Sequence, residues 1–219
     1  QSTGPIHILP TVSVMTFSFL VQDGGTIMVK ATREAYGNAL ARIGKENTNI
    51  IVLDADLSKS TKTDTFKNVC PERFFNVGIA EQNLISVGAG LAAAGKIPFV
   101  SSFAMFATGR AFEQIRNAVC YPKLNVKVCA THAGITVGED GATHQSLEDI
   151  SCMRTLPNMT VVVPADERET EAVVEWAASY EGPVYVRLGR AGVDDVTAEG
   201  YTFVPGKSTT LIEGSDVTI

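Results

Sequence analysis

A three-layer α/β/α domain with a mostly parallel sheet is the fold class predicted by this 219-residue sequence. Two patterns carry the prediction. Short apolar runs, among them Ile50-Ile51-Val52-Leu53, Val126-Lys127-Val128-Cys129-Ala130 and Val184-Tyr185-Val186-Arg187-Leu188, have the length and continuity of strands buried on both faces. Between such runs lie segments of helical period, and that alternation builds crossover units over a parallel sheet. Composition agrees: at 45% hydrophobic and 19% charged, a chain this long buries about 70% of its unfolded surface and needs no disulfide or metal staple.

Taken in order, residues 29–46 read as a helix, with Ala31, Ala35, Leu40, Ala41 and Ile43 near one face and Gly44 as a stop. Ile50 to Leu53 is the first strand and runs into a polar loop, 54–61. Phe74 to Val77 is the second strand; Gly78 turns the chain, and a helix follows from Glu81 to Ala94. Ile97 to Ser101 is a strand and Phe103 to Val119 a helix. The strand Val126 to Ala130 precedes a glycine-studded loop from His132 to Gln145. Ser146 stands where it could cap a helix opening on Glu148 and Asp149. Met159 to Val163 is a strand, Glu167 to Ser179 a helix broken by Gly182-Pro183, and Val184 to Leu188 the last strand.

The two ends have a different texture. Residues 1–27 contain no Lys or Arg, so the apolar run from Ile6 to Val21 lacks the basic flank of a secretory signal. With Pro10 inside it, the run is also too short for a membrane span. Residues 1–27 are expected to be a leader or vector-derived segment, with Met28 as the natural start. Residues 28–190 form the folded domain, and 191–219, rich in Gly, Thr and Val without helical period, are expected to be a linker towards a further domain. Ser215 to Ile219 reads as the start of a strand.

The net charge of −6 gives no footprint for nucleic acid or an anionic membrane. Cys70, Cys120, Cys129 and Cys152 form no CxxC pair and match no zinc spacing, as expected of reduced thiols in a cytoplasmic protein.

Candidate chemistry lies in the loops that follow strands, where parallel sheets collect their ligands. Glu81 is the one acid on an otherwise apolar, small-residue helix. It either complements the helix dipole from the surface or is a carboxyl buried for a chemical purpose. Phe103 and Phe106, one turn apart, are either core or a stacking surface for a flat ring. The loop 131–146 holds His132, Asp140 and His144, with Gly134, Gly138 and Gly141 to permit positive φ. Its acids and hydroxyls could simply hold turns, or the loop could contact a ligand. A metal site on the two histidines lacks a third ligand at a motif-like spacing, so none is expected. No glycine-rich phosphate cradle occurs.

Three stretches, Gly78-Ile79-Ala80-Glu81-Gln82-Asn83, Ser102-Phe103-Ala104-Met105-Phe106 and Gly138-Glu139-Asp140-Gly141-Ala142-Thr143-His144-Gln145, in this order and spacing resemble the transketolase family. The match is to the pyrimidine-binding domain of the thiamin-diphosphate-binding fold and runs from about Lys30 to Arg190. The resemblance implies that Glu81 bonds N1′ of the cofactor's aminopyrimidine, which lets the exocyclic nitrogen deprotonate thiazolium C2. It implies that Phe103 and Phe106 pack on the pyrimidine, with Asp56 and Leu57 on a loop beside it. His132, Asp140 and His144 would contact ketose hydroxyls, while Arg33, Ser60 and Arg190 would bind the sugar phosphate. Mg²⁺ and the diphosphate would be held by a partner, because the Gly-Asp-Gly…Asn motif that binds them in the family is missing from these residues. The chain is thus expected to resemble the C-terminal subunit of a split transketolase. It would be inactive without a diphosphate-binding N-terminal subunit and assembled as a homodimer or heterotetramer. A 1-deoxyxylulose-5-phosphate synthase-like enzyme is the nearest alternative, although Glu139 and Ser146-Leu147-Glu148-Asp149 favour transketolase; a non-catalytic assembly subunit with the same fold is the other.

Overall fold

The structure, a computed structural model, describes residues 29–207 and 209–215. The expectations for residues 1–27 and for a strand at Ser215 to Ile219 therefore lie wholly or mostly outside the described residues.

A six-stranded sheet organises the chain, in the order β3-β2-β4-β5-β7-β6 with every pairing parallel. Its strands are β2 (Ile50–Asp54), β3 (Phe74–Asn76), β4 (Ile97–Phe103), β5 (Lys127–Thr131), β6 (Thr160–Val162) and β7 (Val184–Arg187). Alternation along the strands divides the core in two. Ile51, Leu53, Val100, Val128 and Tyr185 face one side, where Leu84, Ile85 and Ala89 of α4 (Glu81–Ala93) and Met153 of α7 (Asp149–Arg154) cover them. Ile50, Val52, Phe99, Cys129, Val184 and Val186 face the other. There they meet Tyr36, Leu40 and Ile43 of α1 (Thr32–Glu46), Phe66 of α3 (Asp64–Val69) and Val173, Val174 and Ala177 of α8 (Glu167–Ser179). Three α/β/α layers follow directly from strands that are apolar on both faces.

Several elements differ from the sequence reading, each for a local reason. Lys30–Ala31 is not helix but β1, paired antiparallel with β8 (Gly192–Val193), so a distant partner overrides local helix propensity. The loop 54–61 contains α2 (Ser58–Thr61), and α3 follows it where no helix was expected. β4 continues two residues past Ser101 to Phe103, because β5 pairs with it that far. The expected helix from Phe103 divides into α5 (Ala104–Arg110), α6 (Phe112–Gln114) and a π-helical turn at Ile115–Cys120. Ser146 caps nothing: it bridges Gly134, and α7 begins at Asp149 after Glu148. The segment after Arg190 stays on the domain through β8, the buried Thr197 and Phe203, whose ring lies 5.2 Å from that of Trp176.

One buried charge sits at the far end of the sheet from the candidate site. Lys127 opens β5 with its Nζ donating to the carbonyls of Tyr180 (2.6 Å) and Gly182 (2.8 Å), and burial lowers its ammonium to about 8. All four cysteines are free, in agreement with the sequence.

The strand order places a crevice. From β2 the chain moves outward to β3, whereas from β4 it moves the opposite way to β5. Such a reversal opens a ligand-sized gap beyond the carboxyl ends of the two central strands.

Candidate functional site

Every loop singled out in the sequence leaves a carboxyl end of this sheet, and a chain of contacts joins most of their side chains. It starts at Glu81, the first residue of α4, which is only 4% exposed. Its carboxylate faces an open cleft of ≈ 620 Å³ lined by Ile79, Ala80, Gln82, Asn83 and Arg110. Arg110 Nη1 donates to both carboxylate oxygens, at 3.2 and 3.4 Å, and its guanidinium lies 4.2 Å from the Phe106 ring centroid. The surface reading of Glu81 is thereby excluded.

Phe106 and Phe103 lie 5.9 Å apart and 18° from parallel. Phe103 in turn stacks on His132 at 3.8 Å. His144 sets its edge against both rings, 5.1 Å from Phe106 and 6.1 Å from Phe103, with Nδ1 2.9 Å from Thr143 Oγ1. Phe103 is thus both core, at 6% exposure, and part of an aromatic floor.

His132 takes φ +59 and is 2% exposed. Its Nδ1 lies 2.9 Å from Thr131 Oγ1, and its Nε2 3.3 Å from Arg33 Nη1. A guanidinium only donates, so Nε2 accepts and the ring proton belongs on Nδ1. Burial first, then the positive charges of Arg33 and Arg190, push the imidazole down to about 4. Near pH 7 His132 is a neutral hydrogen-bonding group and not a cation.

Arg33, in the first turn of α1, also donates to the Ser60 carbonyl at 2.9 Å, while its buried Nε has no hydrogen-bond partner among the described residues. Burial lowers its pKa, and the positive charge of Arg190 adds to that effect. Two guanidiniums that sense each other, one with an unused N–H, suit an oxyanion. Arg190 donates to the Val137 carbonyl and, at 3.1 Å, to Glu139 Oε1, and so holds the loop that carries the exposed Asp140. That loop closes at its neck where Gly134 N–H meets the Ser146 carbonyl (2.9 Å). At Gly138, φ is +86, which favours glycine, and an added Cβ would have to push the Arg190 guanidinium aside.

On the other flank, buried Asp54 organises residues 57–63. It accepts from Leu57 N–H (2.5 Å), Thr61 Oγ1 (2.7 Å) and Thr63 Oγ1 (2.9 Å). Burial raises its pKa against these hydrogen bonds. Leu57 and Ser60 are positioned in this way. Asp56 (φ +67) is exposed and accepts from Asn76 Nδ2 at 2.7 Å, at the rim and outside the aromatic chain of contacts.

Residues 29–194 match the family described as transketolase, pyrimidine-binding domain. The chain belongs to this family. Among curated proteins it is 56% identical over 192 residues to a candidate transketolase C-terminal section of Methanocaldococcus jannaschii, covering 87% of this chain and 61% of that one. It is 42% identical over 187 residues to a 6-deoxy-6-sulfo-D-fructose transketolase subunit of a Clostridium species, covering 85% and 58%. Among solved structures, a split-gene transketolase described as an inactive β4 tetramer superposes with TM-score 0.77 at 61% identity, covering 85% of this chain and 60% of that one. The chain thus spans about three fifths of the length of these relatives.

The transketolase-family chain brings to the candidate site side chains that the sequence reading missed. Arg110, four residues after Phe106, was legible only as an i, i+4 partner on one helix face. Ser102, beside Phe103, keeps a buried Oγ without a hydrogen-bond partner. Asp149 accepts from Tyr185 Oη (2.7 Å) and Arg187 Nε (2.8 Å) beneath the loop neck. Among the described residues, no group of three or more His, Cys, Asp or Glu could hold a metal ion, and no helix is long and apolar enough to cross a membrane.

Proposed function

We propose that this chain supplies the pyrimidine side of a thiamin diphosphate site in a two-subunit transketolase. A flat ring with a basic nitrogen needs an aromatic floor and a carboxyl shielded from water; Glu81 lines the cleft, and Arg110 joins it to Phe106 and, through that ring, to Phe103. The observation that carries the reading is the burial of Glu81 at a cleft otherwise open to solvent. Among the described residues no cluster of His, Cys, Asp or Glu suits a divalent ion, and the reading assigns Mg²⁺ and the diphosphate to a partner subunit. The similarity to a C-terminal section from M. jannaschii and to a split-gene transketolase supports that division.

When bound, thiamin diphosphate supplies the electron sink of ketol transfer. The rest falls to the protein. Glu81 holds a proton against the ring nitrogen, and Phe103 with Phe106 fixes the ring plane. Neutral His132, together with His144 and Asp140, orients ketose hydroxyls. Arg33 and Arg190, with Ser60 on the adjoining loop, take the terminal phosphate of the sugar, and Asp56 and Leu57 flank the cofactor. The enzyme assembles as at least a homodimer, in the cytoplasm, with residues 191–219 leading towards a further domain.

A non-catalytic assembly subunit is the second reading, favoured by the description of the solved relative as an inactive β4 tetramer. One assay separates the two. The chain, extended to its natural C-terminus, is mixed with a diphosphate-binding N-terminal subunit, thiamin diphosphate, Mg²⁺, xylulose 5-phosphate and ribose 5-phosphate. Ketol transfer in the mixture and in neither subunit alone is expected. No transfer with an assembled complex would favour the non-catalytic reading, and transfer dependent on pyruvate and glyceraldehyde 3-phosphate would indicate the synthase-like alternative.

A further inference from the structure

We propose that Arg110 is an internal stand-in for the aminopyrimidine: it holds the contacts that the cofactor ring would use and must be displaced when that ring enters. The inference rests on the reading of the Glu81 cleft as the cofactor site. Arg110 makes two contacts there, and both are ones the ring would need. Its Nη1 donates to both oxygens of Glu81, and its guanidinium plane lies over Phe106 at 4.2 Å. A guanidinium is flat, cationic and rich in N–H donors, so it satisfies a buried carboxylate and an aromatic face together, as a protonated ring nitrogen over the same face would. Two groups cannot hold one carboxylate edge and one ring face at once.

The asymmetry between the partners shows which of them moves. Glu81 is 4% exposed, whereas the Arg110 side chain is 53% exposed at the end of α5. The carboxylate is therefore fixed, and the guanidinium can leave for water at little desolvation cost. The backbone at Arg110 need not follow, since its carbonyl accepts from Gln82 Nε2 (3.2 Å) across to α4. A buried carboxyl without a partner is costly. Arg110 removes that cost through its own contact and adds the same interaction to what an incoming ligand must overcome. In consequence the half-site disfavours free aminopyrimidines and fills only when a partner subunit adds the diphosphate contacts. Ile79, 76% exposed at the cleft mouth, leaves the exit open.

Competition predicts a gain of affinity on removal of a contact residue, which a supporting role would not give. Thiamin diphosphate with Mg²⁺ is titrated calorimetrically into the two-subunit complex carrying wild-type Arg110, Arg110→Ala or Arg110→Lys, with circular dichroism confirming the fold. The expected result is an apparent Kd about 3- to 10-fold lower for Arg110→Ala, in line with a partly exposed ion pair and a cation–π contact. Arg110→Lys should fall between, keeping the charge without the planar stack. The ratio of wild-type to Arg110→Ala Kd should shrink from 50 mM to 500 mM KCl as the ion pair is screened. Equal or weaker binding by Arg110→Ala, with wild type binding normally, would overturn this inference alone. An assembled wild-type complex that fails to bind thiamin diphosphate would overturn the reading of the site and this inference with it.

Discussion

Asp166 and Glu81 both stand buried at the start of a helix, and the difference between their surroundings separates structure from function in this molecule. Asp166 caps α8 and is saturated from within the chain. It accepts from Glu169 N–H (2.9 Å), Val196 N–H (2.8 Å), Thr197 N–H (2.7 Å) and Thr197 Oγ1 (2.8 Å). Burial works to raise its pKa, but these donors hold it below the usual carboxylate range. Among the described residues, Glu81 has one side-chain partner, the half-exposed Arg110, and α4 has no side-chain cap. The Asp166 carboxylate pins the segment after β7 to the domain, while the Glu81 carboxylate borders a cleft with accepting capacity to spare. A buried acid with few internal partners is the one available to a ligand.

The largest expected effect breaks the comparison on the stability side. Asp166→Ala removes a helix cap and takes the acceptor from the N–H groups of 196 and of the buried Thr197, a loss of about 3 kcal/mol, or roughly 10 °C in melting temperature for a chain of this size. Glu81→Gln should change the melting temperature by less than about 3 °C. Equal losses in the two variants would erase the distinction.

Gly138→Ala comes next. Its φ of +86 makes the substitution strained, at about 1–3 kcal/mol, and an added Cβ would displace the Arg190 guanidinium. The strain falls on the loop that carries Asp140 and His144, so the complex should show a raised KM for sugar phosphate along with a lower melting temperature. An unchanged KM would mean that Arg190 holds the loop without serving the phosphate.

The smallest effect concerns His132, which is buried as Asp166 is but responds to pH in a different window. Its folded imidazole titrates at about 4 and an unfolded one near 6.5, so between those values the unfolded chain binds more protons. His132 therefore contributes stability that is fully present above about pH 6.5 and is lost as pH falls towards 4. His132→Asn should flatten the acid side of a stability–pH profile, measured by urea denaturation from pH 7 to 4.5. An identical slope in the variant would place the titration elsewhere.

Much of this was legible in the sequence because it depends on local pattern. The two-faced apolar runs at 50–53, 126–130 and 184–188 became the central strands, since burial on both faces leaves little choice of element. Glu81 stood out as an acid on an apolar helix. What escaped depends on distant pairing. β1 exists because Gly192–Val193 lies beside it, and nothing in Lys30–Ala31 announces that. The saturation of Asp166 requires Val196 and Thr197, some thirty residues away. Arg110 is one of two arginines between Phe103 and Val126, the other being Arg116, and only folding shows that it reaches Glu81. Ser146 looked like a cap because acids follow it, yet its carbonyl was needed at the loop neck.

The central claim is that Glu81 is kept for a ligand and not for the fold. Exchange of the thiazolium C2 proton of thiamin diphosphate, followed by NMR in the two-subunit complex, tests it most directly, with binding and circular dichroism measured on the same samples. Glu81→Gln should slow exchange by at least about 10²-fold, the scale of a lost proton-transfer partner, while the complex stays folded and loaded. Exchange at the wild-type rate in a loaded Glu81→Gln complex would contradict the account.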